Sequence, residues 1–248
     1  MCTVIVSIDP ESAVPVLLAG VRDEFVARPW MGPDAYWPDH PGIVGGRDLQ
    51  AGGTWLAVNP AIRRVAALLN AHGVPAPEDV RRSRGDLPLR AAAEGELAHL
   101  DLTVYDPFHL VVAGLDGVRL WSWNGERLTE EKLRRGTHVI VNSGLNDEEI
   151  PRVARFRPLF EAAPRPSRLE LGSTRSFWGR WARLAAGDGL ALDDPGALIF
   201  RHVLPDGRIF ASLSVGLVAL GEPRGMRYDF LPQPEDPATW YEVDVRRG

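Results

Sequence analysis

Short apolar runs separated by tight-turn residues recur along the chain, and they constrain its fold more than any other feature of the sequence. The clearest example is FHLVVAGLDGVRLWSWNGERL (residues 108–128), which Asp116-Gly117 and Asn124-Gly125 divide into three strand-like segments. Asp-Gly and Asn-Gly pairs favour the two-residue turns of antiparallel hairpins. The pattern therefore predicts antiparallel sheets rather than alternating βαβ units.

Other runs of the same kind predict further hairpins. Residues 3–8 and 14–19 are apolar and rich in β-branched side chains, and they predict a first antiparallel pair. Residues 54–58 and 65–70 predict a second pair. Near the other end of the chain, ALIFRHVL and RIFASLSV flank Pro205-Asp206-Gly207 and predict another hairpin.

Of two segments between these hairpins, one is predicted to be a loop and the other a strand. Residues 31–53 are rich in Gly, Pro and Asp and contain several aromatic or branched residues, which predicts a long packed loop. THVIVN (residues 137–142) is expected to continue the sheet formed by the central meander.

Helical signals are few and lie mainly in the middle of the chain. Residues 91–100 have helical propensity, and residues 176–186 place apolar side chains on one helical face. A further helix is expected after Asn146-Asp147, with either residue as its N-cap. The expected fold class is α+β: two mainly antiparallel sheets that pack together and are flanked by helices, in one domain over residues 1–248.

Composition excludes several classes of function. With 248 residues and 45% hydrophobic content, the chain can bury one large core, or two small ones at most. A formal net charge of −5 argues against nucleic acid or an anionic membrane as the main partner. No apolar run approaches the roughly 20 residues that span a bilayer. The N-terminus lacks the basic region of a signal peptide, and a cytoplasmic location is expected. Oligomeric state is left open.

Neither a metal site nor a phosphate loop is predicted. The six histidines are scattered, without the spacing of convergent metal ligands. Gly45-Gly46 and Gly52-Gly53 do not belong to a phosphate-binding loop motif. They are interpreted as tight turns that allow the backbone to approach a ligand or another strand.

Two clusters have more than one interpretation. RRSRG (residues 81–85) either holds a substrate phosphate or carboxylate or is a solvated basic patch. Trp121 and Trp123 share one face of a predicted strand, which is either core or the wall of an apolar pocket.

Cys2 is the only cysteine in the chain, and it also has two interpretations. A cysteine in a buried first strand needs no function beyond packing. Removal of Met1, however, would place a thiol and a free α-amine on one residue, and so supply a nucleophile with its own base. Arg22, Asp23 and Glu24 follow the second predicted strand, which returns beside the first. Asp23 would then hold the ammonium or thiol, and Arg22 would favour the thiolate.

The first two thirds of the chain resemble the NRDE family, whose eukaryotic member is the transport-and-Golgi-organisation 2 protein. The matching motifs are Met1-Cys2-Thr3, Val21-Arg22-Asp23-Glu24-Phe25, Arg28-Pro29, Trp37-Pro38, Gly46-Arg47-Asp48-Leu49, Ala51-Gly52-Gly53-Thr54-Trp55-Leu56, Asn70, Ser83-Arg84-Gly85 and Val141-Asn142. The leading Asn of the family's motif is Val21 here.

The resemblance implies an αββα N-terminal-nucleophile hydrolase fold and a cysteine amidohydrolase that acts on a non-peptide C–N bond. Cys2 is then the nucleophile, with Arg22 and Asp23 beside it. Asn70 and Asn142 are candidate oxyanion or substrate-orienting amides.

Three further residues in the matching motifs, Arg47, Trp55 and Arg84, are predicted to contact the substrate. Such hydrolysis requires no cofactor, and its ligand would be a small-molecule amide. The alternative that the resemblance leaves open is a non-catalytic protein that binds and traffics haem or a lipid or acyl-CoA ligand on the same fold.

Overall fold

A computed structural model describes residues 2–97, 99–221 and 225–245 of the chain. In these residues, two antiparallel sheets pack face to face and helices cover both outer faces. Met1, whose removal the catalytic prediction requires, lies outside the described residues.

The first sheet has eight strands, and the two strands of the predicted N-terminal hairpin lie near its centre. Its strands are β1 (Thr3–Ile8), β2 (Val16–Phe25), β10 (Gly136–Val141), β11 (Gly144–Leu145), β12 (Arg201–Val203), β13 (Ile209–Gly221), β14 (Gly225–Leu231) and β15 (Tyr241–Glu242). Their spatial order is β11-β10-β1-β2-β13-β14-β15, and β12 pairs with β13.

The second sheet has seven strands, each paired with the next along the chain. They are β3 (Trp30–Asp34), β4 (Val44–Asp48), β5 (Leu56–Asn59), β6 (Arg64–Asn70), β7 (Phe108–Gly114), β8 (Gly117–Trp123) and β9 (Leu128–Leu133). The predicted meander over residues 108–128 is confirmed as β7, β8 and the start of β9. Most of these strands are joined by short connections, but β6 and β7 are joined by a long segment that contains a helix (Leu87–Glu94).

Four helices complete the layers: α1 (Leu87–Glu94), α2 (Pro151–Glu161), α3 (Thr174–Trp178) and α4 (Arg180–Ala185). Three apolar clusters lie between the successive layers of helices and sheets. Val4 and Leu18 of the first sheet pack against Leu56 of the second. Phe156 and Trp181 of the helices pack on the other face of the first sheet. Residues of α1 pack on the outer face of the second sheet. The order of layers is therefore αββα, which confirms the predicted fold class.

Two predictions about strands are wrong. Residues 137–142 do not continue the meander, because β10 pairs with β1 in the other sheet, with Val4 opposite Ile140. Residues 31–53 are not one loop, since they contain β4 and most of β3. The partner of β10 is distant in the chain, and local composition does not encode that choice. β3 and β4 pair with each other, but their Gly, Pro and Asp content conceals the strand signal.

Helix boundaries also differ from those predicted. Helix α2 begins at Pro151 with Ile150 as its N-cap, so neither Asn146 nor Asp147 caps it. Helix α1 ends at Gly95, whose left-handed φ of 81° terminates it before most of the predicted residues 91–100. Gly179 divides the predicted helix over 176–186 into α3 and α4.

Trp121 and Trp123 belong to the core beneath α1, which decides between their two interpretations. None of the helices in the described part of the chain is both long and apolar enough to cross a bilayer.

Candidate active site

Cys2 lies at the edge of the interface between the two sheets. The β1–β2 register pairs Thr3 with Val21, and continuing it by one position places Cys2 opposite Arg22. Alternate residues of a strand point to the same face, and Val4 and Leu18 point toward the second sheet. Cys2 and Arg22 therefore share that face, where the Cys2 side chain is half-buried against the inter-sheet core.

A cavity of about 470 Å³ opens at this point. Six of the eight predicted site residues line it: Cys2, Arg22, Asp23, Trp55, Asn70 and Arg84. Twelve other residues complete the lining: Glu24, Arg28, Asp48, Ala51, Gly53, Thr54, Leu68, Arg81, Arg82, Ser83, Gly85 and Asp106. Arg47 and Asn142 are described by the structure but do not line the cavity.

Arg22 is buried beside Cys2, with 4% of its surface exposed. Its guanidinium lies 4.5 Å from the ring centroid of Trp55 and donates through Nη2 to Oδ2 of Asp48 at 3.4 Å. Nη1 is also buried and has no hydrogen-bond acceptor among the described residues. Arg22 therefore keeps an unused donor, and a buried donor of this kind favours an anion nearby.

Asp48 is a site residue that the sequence interpretation missed. It accepts hydrogen bonds from Arg22 and Arg28, and its Oδ1 accepts from the amide of Ala51 at 2.8 Å. Desolvation opposes ionisation, but the bond from Arg28 and these further donors hold the pKa of Asp48 below its ordinary value.

The neighbour of Asp48, Arg47, was predicted to contact substrate. Successive strand residues point to opposite faces, and the Arg47 guanidinium lies 5.9 Å from the ring centroid of Tyr36 instead. The motif Gly46-Arg47-Asp48 pointed to the correct strand, but β4 presents Asp48 to the cavity rather than Arg47.

Asp23 lies on the opposite face of β2 from Arg22, toward the helix layer. Its carboxylate accepts a hydrogen bond of 2.7 Å from the Ser212 hydroxyl and lies 3.4 Å from Nη1 of Arg152. Burial raises the pKa of Asp23 from its ordinary value of 3.8 to about 6, although Arg152 and Ser212 both stabilise the carboxylate. Its protonation therefore changes near neutral pH.

Arg152 and Ser212 were not predicted from the sequence. Arg152 lies on α2, with its guanidinium 4.9 Å from the ring centroid of Phe200. Ser212 lies on β13 directly opposite Asp23, where the register shifts before Ser214. The only signal in the sequence was the pair of serines at alternating positions of an otherwise apolar run, which does not identify a partner.

The Cys2 thiol is in contact with the backbone of its neighbouring strand. Its Sγ donates to the carbonyl oxygen of Asp23 at 3.7 Å. Desolvation raises the pKa of the Cys2 thiol and the Asp23 carboxylate raises it further, while Arg22 opposes both effects. The resting side chain is therefore a thiol, and its ionisation needs a base.

The two predicted asparagines occupy different positions around Cys2. Asn70 is exposed at the end of β6 and lines the cavity. Continuing the β1–β10 register by two positions places Asn142 opposite Cys2. The Oδ1 atom of Asn142 is buried without a hydrogen-bond partner among the described residues, and its backbone oxygen lies 3.3 Å from Nε2 of His109.

The glycine-rich segment, residues 45–53, contributes to one wall of the cavity through close contacts. A Cβ atom on Gly53 would lie 2.4 Å from the backbone of Gly85, and the Thr54 amide donates to the Gly85 carbonyl at 2.8 Å. A Cβ atom on Gly46 would lie 2.3 Å from the Trp55 ring. Gly45 and Gly46 lie within β4, so the prediction of a tight turn there is wrong, but the contacts of Gly46 and Gly53 agree with the interpretation that the glycines allow close approach. They also bring the basic segment 81–85 to the cavity.

Solved structures with a similar fold include an amidase. The Caenorhabditis elegans N-acylethanolamine-hydrolyzing acid amidase ortholog is 10% identical, with a TM-score of 0.51 over 98% of this chain and 100% of that one. Penicillin V acylase from Agrobacterium tumefaciens is 15% identical, with a TM-score of 0.49 over 93% of this chain and 83% of that one. No curated protein sequence matches the chain.

The acid amidase similarity supports the N-terminal-nucleophile hydrolase fold, but at this identity it does not establish an activity. The family comparison does establish membership of a family, because the family model matches residues 1–175 of the 248. The matched part includes all eight predicted site residues and the whole lining of the cavity around Cys2. The chain belongs to the Transport and Golgi organisation 2 family.

Proposed function

We propose that this protein is a cysteine amidohydrolase that cleaves a non-peptide C–N bond, with Cys2 as the nucleophile after removal of Met1. The observation that supports this proposal most directly is the position of the sole thiol. Cys2 lines a cavity between a buried guanidinium on one face of β2 and a carboxylate on the other. A cysteine that served only packing would need neither neighbour.

The raised pKa of Cys2 makes a base necessary, and the α-amine of residue 2 is suited to that role. A free α-amine has a pKa of about 7.7–8.0, near working pH. The thiol proton passes to this amine as Sγ bonds to the amide carbonyl carbon. The amine then gives the proton to the leaving nitrogen as the C–N bond breaks, which leaves a thioester. Water hydrolyses the thioester to the acid and restores the thiol.

Each neighbouring group has a proposed role in these steps. The unused Nη1 donor of Arg22 stabilises negative charge that develops on Sγ. Asp23 orients the α-amine, and Ser212 and Arg152 hold the Asp23 carboxylate in place. Asn70, which lines the cavity, is the proposed amide that faces the substrate oxygen or orients the substrate, whereas Asn142 does not line the cavity and is proposed to act from its position opposite Cys2.

The fold of the similar acid amidase is consistent with this reaction class. That protein is described as hydrolysing N-acylethanolamines, which are amides. For this chain, the similarity supports only the proposed type of bond, an amide C–N bond.

The proposal is tested with intact protein and a panel of small amides. Mass spectrometry of active material should show loss of Met1, and a trapped thioester should add the acyl mass to the peptide that begins at Cys2. Cys2→Ala should abolish turnover, while Cys2→Ser should retain a small fraction of it. Active protein that retains Met1 would contradict the proposal.

Haem titration of the same protein preparation distinguishes the enzyme from the alternative prediction, which is binding of haem or an acyl ligand without catalysis. No histidine lines the cavity in the described part of the chain, so Cys2 is the residue there with a haem-ligating side chain. A saturable shift in visible absorbance on haem titration, lost in Cys2→Ala and accompanied by no amide turnover, would favour the binding protein over the enzyme.

A further inference from the structure

Charged side chains dominate the cavity beside Cys2. Five arginines and four carboxylates line it, while Ala51, Trp55 and Leu68 are its main apolar contributors apart from Cys2. A long alkyl chain would bury few matching apolar groups in this lining and would desolvate many charges. The cavity is therefore suited to a compact polar ligand.

Three of the five arginines already have carboxylate partners. Arg22 and Arg28 both pair with Asp48, and Nε of Arg81 lies 3.2 Å from Oδ1 of Asp106. Nε of Arg28 also lies 3.6 Å from Oε2 of Glu24, so three carboxylates balance these three positive charges. The three arginines shape the cavity wall and leave little net charge for a ligand, and the unused Nη1 donor of Arg22 is the group proposed to stabilise charge on Sγ.

The remaining two arginines, Arg82 and Arg84, have no carboxylate within ion-pair distance in the described part of the chain. The side chain of Arg84 is half-buried, and its one hydrogen bond to a described residue is from Nη1 to the neutral carbonyl of Pro107 at 2.7 Å. Arg82 is exposed and is held through its backbone amide, which donates to Val104 at 2.8 Å. Most of the N–H donors on these two guanidinium groups therefore remain available.

The segment that carries these arginines is fixed against the wall that also carries Trp55. The Gly85 carbonyl accepts from the Thr54 amide, and the Gly53 and Gly85 backbones are in direct contact. Ser83, between the two arginines, accepts from the Gly85 amide and still has its hydroxyl proton to donate. The arrangement is a preorganised cationic surface in the same cavity as Cys2.

We propose that the substrate is a compact amide that carries an oxyanion group, either a carboxylate or a phosphate, and that Arg84 and Arg82 bind this group while Cys2 attacks the amide. Planar guanidinium groups bind both oxyanions through paired hydrogen bonds. The reaction in this inference rests on the proposed function, whereas recognition of the anion does not.

Binding is measured first, in a Cys2→Ala protein that cannot form the thioester. The probes are N-acetylglycine with its neutral partner N-acetylglycinamide, and N-acetyl-O-phosphoethanolamine with its neutral partner N-acetylethanolamine. At least one anionic probe should bind about tenfold more tightly than its partner at low salt, and this preference should weaken as salt is added. Which pair shows the preference distinguishes a carboxylate from a phosphate.

Variants then locate the anion site. Arg84→Gln should remove most of the preference, Arg84→Lys should keep part of it, and Arg82→Gln should reduce it without a folding cost because Arg82 is exposed. Arg180→Gln, at the start of α4 and outside this cavity, should leave it unchanged. Equal affinity for charged and neutral probes, or a preference that survives both Arg84→Gln and Arg82→Gln, would overturn the inference.

Turnover separates failure of this inference from failure of the proposed function. Turnover that requires Cys2 but is equal for charged and neutral amides would overturn the anion site alone. An arginine-dependent binding preference in protein that turns over no amide would support the anion site and count against the enzyme.

Discussion

The Asp23 carboxylate accepts a hydrogen bond of 2.7 Å from the hydroxyl of Ser212, a residue 189 positions away in the chain. Both side chains are buried, on adjacent strands of the first sheet. The bond favours the ionised form of Asp23 in a place where burial favours the neutral form. Ser212 therefore acts on the site through Asp23, as a positioning residue.

Replacing Ser212 by alanine should raise the pKa of Asp23 above about 6, because it removes a donor to the carboxylate. The expected rise is about one pH unit, the value of one hydrogen bond to a charged group. Carbon-13 NMR of the Asp23 carboxyl carbon measures it directly.

Ser214 supplies the matched control for this variant. Its hydroxyl is buried without a hydrogen-bond partner among the described residues, so Ser214→Ala should leave the pKa of Asp23 unchanged. Ser212→Thr, which keeps the hydroxyl, should restore a value close to that of the unmodified protein. A pKa that is the same in Ser212→Ala and Ser214→Ala would show that the hydroxyl has no such effect.

Asp23 should also lower the stability of the protein as pH rises, which is the opposite of the usual effect of a carboxyl group in a folded protein. Because its folded pKa of about 6 lies above its ordinary 3.8, the folded state binds the proton more tightly than the unfolded state. The free energy of unfolding should therefore fall by about 3 kcal/mol in total from this group as pH rises from below 4 through 6, with about 2 kcal/mol of the loss between pH 4 and 6, and should level off above about pH 7.

Urea unfolding of Asp23→Asn at pH 4, 5, 6 and 7 tests this contribution. The amide cannot ionise, so the variant should become more stable relative to the unmodified protein as pH rises through that window, whatever its stability at pH 4. A constant difference between the two proteins across all four pH values would refute the prediction.

The reactivity of Cys2 can be measured without a substrate, because no other cysteine is present. The rate of iodoacetamide alkylation should rise with pH around a midpoint above that of a free thiol, since burial and Asp23 both raise the pKa. Asp23→Asn should lower this midpoint and Arg22→Gln should raise it. Midpoints that move in the opposite directions would mean that the charges on β2 do not act on Sγ as described.

Gly53 should tolerate a methyl group much less well than Gly52. A Cβ atom on Gly53 would lie 2.4 Å from the backbone of Gly85, whereas one on Gly52 would meet nothing within 4 Å and would suffer only from its positive φ of 78°. We expect a loss of about 1–2 kcal/mol for Gly52→Ala and about 3 kcal/mol for Gly53→Ala. Chemical unfolding of the two variants measures both, and equal losses would mean that segment 81–85 moves away at little cost.

The strands that local sequence predicted well are those closed by their own turns. β7 and β8 are joined by Leu115-Asp116, one residue before the predicted Asp116-Gly117 turn, and β12 and β13 are joined at Pro205-Asp206-Gly207, so the partner of each strand is its neighbour in the chain. β10 was assigned to the wrong sheet because its partner, β1, lies about 130 residues away. Nothing in the composition of residues 137–142 distinguishes the two sheets.

The residues of the candidate site show the same difference between local and long-range contacts. Cys2, Arg22 and Asp23 converge because a single hairpin carries them, and the hairpin follows from two adjacent apolar runs. Asp48 was missed because the pleat of β4 decides whether position 47 or position 48 faces the cavity. Arg152 and Ser212 reach Asp23 only through the packing of α2 and β13 against β2.

By itself, the sequence determined most of the strands, the antiparallel hairpins closed by their own turns, and that its one thiol is followed across the first hairpin by a guanidinium and a carboxylate. These features depend on side-chain period and turn chemistry within about twenty residues. Only the tertiary structure decided which sheet each strand joins, which face of β2 each charge occupies, and which arginines remain without carboxylate partners. Those outcomes depend on burial and on contacts between residues far apart in the chain, and no local pattern specifies either.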